Sequence, residues 1–468
     1  MIFSNLKKRY IGDAVFYRRV FSILIPIVLQ NFITTFVSLL DNIMVGQVGT
    51  EPMSGVAIVN QLLFVFNLAM FGIVSGGSVF AAQFFGKGDH KGVGNTFKVK
   101  LYSTILLIVV TLALVFTLSD EMIMMFIHEG EAGLDLQATF DYAKEYLSVM
   151  LLGIIPFGFS QAYSSTLREV SEARVPMIAG FTAVAVNLVG NYILIYGKFG
   201  APKLGVVGAA IATVASRYVE FLIVVIWTHT HTDRVPFAKG VYKSLVVPKA
   251  LLKQIIKLGI PMFLNELLWG AGQTFLNQIL SVRGLEVVSA NNISSTVSQL
   301  FSCVYLAIGV ALSIIIGQVL GAGDPERAVD EDRKIIALSF MITLVISLIM
   351  HIFTPVIPEI YNTTPEVKAL ATLFIRALAF HLPLAAVVNA LYYTIRSGGR
   401  TFVTFLFDSC YSWCICIVTE FILVHFTNLG PAVIYAIVLG LDLIKFTVGT
   451  ILVRKRIWVV NLIAKNNL

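Results

Sequence analysis

Residues Arg18–Gly46 read RRVFSILIPIVLQNFITTFVSLLDNIMVG. Val20 to Leu40 is almost wholly apolar, with Ser22, Gln30, Asn31, Thr34, Thr35 and Ser38 scattered through it. At a rise of about 1.5 Å per residue, such a run crosses a bilayer as a helix. Arg18 and Arg19 open it, no basic residue follows until Lys87, and one carboxylate, Asp41, stands near its far end. An acidic side chain at bilayer depth costs roughly 2.5–3.5 kcal/mol on insertion scales, so its presence needs a cause. The candidate causes are a proton, an ion, a cationic ligand or a buried salt bridge; the plainer reading is a carboxylate that opens a loop at the membrane surface. The cost favours ion or substrate binding.

The rest of the chain extends this pattern. Its 468 residues have a mean hydropathy of +0.84 and 13% charged residues, with 34 Phe spread through long apolar runs. That balance excludes a soluble domain of this size and specifies a polytopic membrane protein. The first run is too long for a signal-peptide core and lacks a small-residue cleavage site after it, so it counts as the first span. Twelve apolar segments recur between residues 19 and 453, separated by charged or Gly/Pro-rich breaks, and twelve crossings put both termini on one side. With the N-terminus inside, only Lys144, Lys198, Lys203, Arg283, Lys368 and Arg376 fall in or near outward loops, and Arg217 and Lys445 fall within helices. The remaining Lys and Arg are inward, as the positive-inside rule requires. The net charge of +7 therefore sets orientation and is not a nucleic-acid patch. The outward stretch Ser119–Leu136 carries Asp120, Glu121, Glu129, Glu131 and Asp135 and no Lys or Arg. Cys303, Cys410, Cys414 and Cys416 lie in apolar runs with neither disulfide nor zinc spacing, and read as buried thiols. His229 and His231, in the basic inward stretch Thr228–Lys249, read as a solvated pair and not as metal ligands.

The two halves match at an offset of 235 residues. Ile25-Pro26 faces Ile260-Pro261, Gly49 faces Gly284, Phe66 faces Phe301 and Ser78 faces Ser313. Gln83-Phe84-Phe85-Gly86-Lys87-Gly88-Asp89 faces Gln318-Val319-Leu320-Gly321-Ala322-Gly323-Asp324, and, at a shorter offset, Thr166-Leu167-Arg168 meets Thr394-Ile395-Arg396. Six helices followed by six in the same order form a parallel repeat, whose interface is where a transport site is expected. The expected fold is an all-α membrane protein: twelve transmembrane helices in two six-helix bundles related by a parallel internal repeat. The expected domains are an N-terminal lobe over 1–228, a cytoplasmic linker over 229–249 and a C-terminal lobe over 250–468. The Gly-Lys-Gly-Asp turn at 86–89 is not a phosphate loop, since no Ser or Thr follows its lysine. No other nucleotide-binding motif is present, so ATP is not the expected energy source.

The six-plus-six repeat, the Ser38-Leu39-Leu40-Asp41-Asn42-Ile43-Met44-Val45-Gly46 end of helix 1, the Gln83–Asp89 turn with its copy, and Arg396-Ser397-Gly398-Gly399 after helix 10 resemble the multidrug and toxic compound extrusion (MATE) family. The resemblance covers nearly the whole chain. It implies efflux of organic cations or other amphipathic compounds against inward H⁺ or Na⁺, with no cofactor, in a monomer of the plasma membrane of a bacterium. It matches Asp41 to the helix 1 aspartate that many members use for cation or proton binding, and Asn187 to an asparagine of the same cluster. Asn191 stands where such members often carry a second aspartate, which leaves Asp41 as the cluster's carboxylate. The i, i+4 spacing keeps both amides on one face of helix 5. Thr213, in Gly208-Ala209-Ala210-Ile211-Ala212-Thr213 of helix 6, matches a threonine of that site. In the second lobe Glu266, after Pro261, is carried over as a substrate or coupling group, although it stands closer to the proline than the family's glutamate does.

Read from the residues alone, Asp408 lies near the inward end of helix 11, where it pairs with Arg396 or Arg400 or else contacts substrate. Arg217 with Glu220, and Asp442 with Lys445, read as intrahelical i, i+3 ion pairs. The competing functions are a lipid-linked oligosaccharide flippase, which calls for a cationic cavity, and an intramembrane enzyme, for which no paired-histidine or Gly-Xaa-Ser-Xaa-Gly motif is present.

Overall fold

A computed structural model of the chain describes residues 9–127 and 135–464. Glu129 and Glu131 of the acidic stretch, and Lys7, Lys8 and Lys465 of the basic termini, lie outside the described residues. Among the described residues there is no strand, and twelve long helices follow one another. They are α1 (Ala14–Gly46), α2 (Thr50–Lys87), α3 (His90–Met124), α4 (Leu136–Glu169), α5 (Arg174–Tyr196) and α6 (Gly205–Thr230). The second set is α7 (Lys249–Ser281), α8 (Leu285–Gly321), α9 (Pro325–Phe353), α10 (Pro365–Ser397), α11 (Thr401–Phe426) and α12 (Pro431–Arg454).

Many helices outrun their apolar segments because polar residues cap and extend them. The ninth apolar segment begins near residue 334, yet α9 starts at Pro325, where Asp324 accepts from the Arg327 amide at 3.1 Å and proline occupies the first turn. Large apolar side chains such as Phe116, Phe380 and Phe426 stay exposed on the helix flanks, as lipid-facing positions do. Cys414 is exposed and Cys410 half-buried, while Cys303 and Cys416 are buried, which corrects the expectation that all four cysteines are buried.

The chain divides into two compact units. The first falls within Met1–Val28, Ala82–Asp89 and Ile256–Leu468; the second within Leu29–Ala81 and His90–Ile255. In the first, α8 packs along α10, and α10 also packs on α9 and α12. Its cores gather Ala307, Ala311, Ile315 and Trp458 in one cluster and Ala290, Phe374, Ile375 and Ile434 in another. In the second unit α6 packs on α4 and α5 around Val59, Ile123, Ala143, Ile154 and Ile195.

The two copies of the Gln-Xaa-Xaa-Gly turn are each other's packing partners inside the first unit. A Cβ on Gly86 would lie 1.8 Å from the Gln318 carbonyl oxygen, and one on Gly321 would lie 1.9 Å from that of Gln83. Only glycine lets two helix backbones approach this closely. Gly321→Ala is therefore expected to destabilise the first unit by about 1–3 kcal/mol through overpacking against backbone. Thermal unfolding of purified protein in detergent checks this; an unchanged midpoint would contradict it.

The stretch after α6 is docked in the second unit. Phe237 is buried against the Phe97 ring at 5.6 Å, and the Tyr102 hydroxyl donates to the Leu245 carbonyl at 2.5 Å. His229 forms the last turn of α6, with Nε2 3.0 Å from the Tyr163 hydroxyl, which also bonds the Tyr242 hydroxyl. His231 stacks on Trp227, with ring centroids 4.7 Å apart. The two histidines are thus packed against aromatic partners, a correction to the solvated pair expected from sequence.

Candidate functional site

The last turns of α1 carry Asp41 into the second unit, where α5 and α6 supply the groups around it. Asn187 and Asn191, one turn apart on α5, are both buried and point to the same place, as their spacing requires. Asn191 Nδ2 donates to Asp41 Oδ1 at 2.6 Å. The Asn187 amide satisfies its neighbours when Nδ2 faces the carboxylate, 2.9 Å from Oδ1 and 3.2 Å from Oδ2, with its own Oδ1 accepting from Thr213 Oγ1 at 3.1 Å. The four residues singled out from sequence, Asp41, Asn187, Asn191 and Thr213, therefore form one hydrogen-bonded cluster drawn from three helices.

Two features set this cluster apart from an ordinary buried polar network. Among the described residues no Lys, Arg or His pairs with Asp41. The carboxylate is thus hydrogen-bonded but not neutralised. Asn191 Oδ1 is buried with no hydrogen-bond partner. A buried acceptor without a donor costs about 1–3 kcal/mol, and a hard cation or a proton on the neighbouring carboxylate would engage such oxygens.

The second unit also holds a buried ion pair that the sequence reading missed. Lys100 Nζ, in α3, lies 2.6 Å from Glu169 Oε2 at the end of α4, with both side chains almost wholly buried. Ser165 and Thr166 accept from the same ammonium at 3.0 and 3.3 Å. Arg217 lies with its guanidinium 4.8 Å from the Phe157 ring centroid.

The first unit contains a larger network. Glu266 of α7 faces Arg396 of α10, with Oε1 3.7 Å from Nη1. Asp408 falls where α11 makes a π-helical turn over Leu406–Cys410; such turns widen a helix locally and recur at functional positions. Its carboxylate accepts from Lys445 Nζ of α12 at 2.7 Å and from Asn265 Nδ2 at 3.2 Å. Pairing of Asp408 with Arg396 or Arg400 is thus replaced by pairing with Lys445. The intrahelical Asp442–Lys445 pair is likewise replaced by two cross-helix pairs, because Asp442 Oδ2 meets His381 Nε2 of α10 at 2.8 Å. The helix is interrupted just before Asp442, where the Leu441 carbonyl accepts from both the Ile444 amide at 2.9 Å and the Tyr411 hydroxyl at 2.8 Å. Asn265 and His381 were missed in the sequence, although a histidine midway along an apolar run carries the same signal as Asp41. Among the described residues no group of three or more His, Cys, Asp or Glu is placed to hold a metal ion.

The family model MatE matches residues 26–193 and 261–422. The chain belongs to the MatE family. The two matched segments begin 235 residues apart (261 − 26), the offset of the internal repeat. This MatE-family chain is 27% identical over 408 residues to the probable multidrug resistance protein NorM of Thermotoga maritima, covering 87% of this chain and 85% of that protein. It is 26% identical over 368 residues to the multidrug resistance protein MdtK of Proteus mirabilis, covering 78% of each. Among solved structures, an outward-facing multidrug resistance MATE family transporter of the MOP superfamily aligns with a TM-score of 0.83 at 22% identity over 96% of both chains. A MATE transporter of Vibrio cholerae, VcmN, aligns with the same TM-score at 17% identity over 95% of this chain and 97% of that one. These likenesses show the fold, an all-α multi-pass membrane protein.

Proposed function

We propose that this protein is a secondary active exporter of organic cations or other amphipathic compounds, driven by inward H⁺ or Na⁺ through alternating access. The observation that carries the reading is Asp41, a carboxylate in a membrane-spanning helix that is held by two amides and paired with no Lys, Arg or His among the described residues. Asp41, Asn187, Asn191 and Thr213 bind the coupling cation. A proton would sit on the Asp41 carboxyl; Na⁺ would take its oxygens together with the buried Asn191 Oδ1 and the Thr213 hydroxyl. Binding biases the lobe conformation in one direction and cationic substrate in the other, so that exchange drives the cycle. One charge moving through 100 mV supplies about 2.3 kcal/mol, close to fifty-fold in concentration, so one or two coupling ions suffice.

The functional lobes are residues 1–228 and 250–468, joined by the cytoplasmic linker 229–249. Both termini are cytoplasmic, the membrane is the bacterial plasma membrane and the protein works as a monomer. Glu266 and Asp408 belong to a coupling network in the second lobe.

The test is ethidium uptake into inverted proteoliposomes with a pH or Na⁺ gradient imposed one at a time. Uptake above the gradient-free rate with one of them is expected. Equal uptake with either gradient and with none would overturn the reading, and uptake of anionic lipid-linked sugar in its place would favour a flippase.

A further inference from the structure

Residues 244–248, between the docked stretch after α6 and the start of α7, run beside the lipid-facing flank of α3. Tyr102, Ile105, Leu106 and Val109 recur on α3 at i, i+3, i+4 and i+7, and all four are exposed, the pattern of a stripe turned towards acyl chains. Residues 101–119 carry no charge, and at about 1.5 Å per residue they extend about 28 Å, one hydrocarbon thickness. Tyr102 therefore stands at one edge of the hydrocarbon layer, a level at which tyrosine is favoured. Its hydroxyl donates to the Leu245 carbonyl at 2.5 Å and so holds Leu245 at that level.

The stretch sorts its apolar side chains into two sets. Val235, Phe237, Ala238 and Val241 are buried, whereas Leu245 is 65% and Val246 77% exposed. Aliphatic side chains turned outward at the edge of the hydrocarbon layer are placed among lipid tails. Lysines bracket them. From residue 235 to residue 265 the sequence has Lys239, Lys243, Lys249, Lys253 and Lys257 and no Asp or Glu. The first four lie in the second unit and are exposed. On α7, Lys249 and Lys253 are one turn apart and opposite the buried Leu251 and Ile255, so their face points away from the protein. Other inward basic residues are tied to carboxylates: Arg19 and Arg327 to Glu331, Arg234 to Glu172, Lys334 to Asp330 and Arg456 to Glu326. Among the described residues none of these four lysines has such a partner. Orienting the chain requires positive charge on the inner side. It does not require that charge to be unpaired on either side of exposed aliphatic groups at the membrane edge.

We propose that residues 239–253 form a binding site for anionic phospholipid, with the lysine ammonium groups on the headgroup phosphate and Leu245 and Val246 among the acyl chains. The site faces the leaflet on this stretch's side of the membrane, the cytoplasmic one in the proposed topology, and stands whether or not the protein exports cations. Acyl-labelled fluorescent phosphatidylglycerol and phosphatidylcholine are titrated into the detergent-purified protein, and binding is read by anisotropy. The wild type is expected to bind phosphatidylglycerol about tenfold or more tighter than phosphatidylcholine. Lys239→Gln/Lys243→Gln/Lys249→Gln/Lys253→Gln is expected to bring the two lipids to within about twofold, and Lys239→Arg/Lys243→Arg/Lys249→Arg/Lys253→Arg to keep the preference. Lys87→Gln/Lys91→Gln/Arg454→Gln/Lys455→Gln removes as much charge from other inward stretches and is expected to keep it as well. If the fourfold glutamine variant does not fold, Lys239→Gln/Lys243→Gln and Lys249→Gln/Lys253→Gln are each expected to lower the preference about threefold. Leu245→Ser/Val246→Ser is expected to weaken phosphatidylglycerol binding about fivefold, and about 10 mM inorganic phosphate to leave it in place, as befits a lipid and not a soluble anion. The proposal is overturned if the wild type shows no preference, or if the preference survives loss of the lysines. It is equally overturned if the charge-matched control loses the preference to the same extent, if phosphate displaces the lipid, or if the serine variant binds as the wild type does.

Discussion

Asp41→Asn is expected to reduce gradient-driven ethidium transport by about a hundredfold or more while leaving expression and thermal stability near wild type. The substitution keeps the size of the side chain and a hydrogen-bonding oxygen, so Asn191 Nδ2, now 2.6 Å from Asp41 Oδ1, keeps an acceptor. What disappears is the charge. An amide takes up no proton near neutral pH, and it contributes one weak oxygen to Na⁺ where a carboxylate contributes two strong ones. A ligand shifts a conformational equilibrium only by its differential affinity for the two states, so an exporter without its coupling ligand has nothing to drive the return. Asp41→Glu is expected to retain part of the rate, since the charge remains on a longer stem. Transport by Asp41→Asn within twofold of wild type, at equal protein per vesicle, would remove Asp41 from the mechanism.

The second large effect concerns stability. Lys100→Met strands Glu169 in the second unit, where the pair is 2.6 Å apart and both side chains are almost fully buried. Removing one partner of a buried ion pair leaves an uncompensated charge and costs about 3–5 kcal/mol. That loss is expected to cut the yield of folded protein severely. The double variant Lys100→Met/Glu169→Gln removes both charges and is expected to recover most of the loss, because no unpaired charge is then left buried. Fluorescence-detected size-exclusion yield and thermal midpoints of the three variants check this. A double variant as unstable as the single one would show that the ammonium's own contacts, not charge compensation, hold this end of α4.

Both the scaffold and the first-lobe cluster were readable before any coordinates. Long apolar runs admit few alternatives to spanning helices, and the offset of 235 made each half a check on the other. Asp41 was visible because one carboxylate stands out against an otherwise apolar run; Asn187, Asn191 and Thr213 were matched to it by the family resemblance, with the i, i+4 spacing then putting the two amides on one face. The pairs between distant segments were not readable. Lys100 and Glu169 are 69 residues apart, and nothing in either neighbourhood names the other. Asp442 and Lys445 stand at ideal intrahelical spacing, yet the interruption before Asp442 and the proximity of His381 and Asp408 redirect both side chains. Local spacing sets which pairs are possible; packing between helices decides which form. The same holds at Asp408, whose π-helical turn leaves no mark in the sequence.

The central claim is that the Asp41 cluster carries the ion that moves against substrate, and coupling must then run in reverse. Proteoliposomes loaded with ethidium, with no ion gradient imposed, should take up H⁺ or Na⁺ as ethidium leaves, read by an entrapped pH dye or by ²²Na⁺. Wild-type vesicles are predicted to show one of these ions moving opposite to ethidium, and Asp41→Asn vesicles neither. Equal ion movement per ethidium in the two proteins would contradict the account.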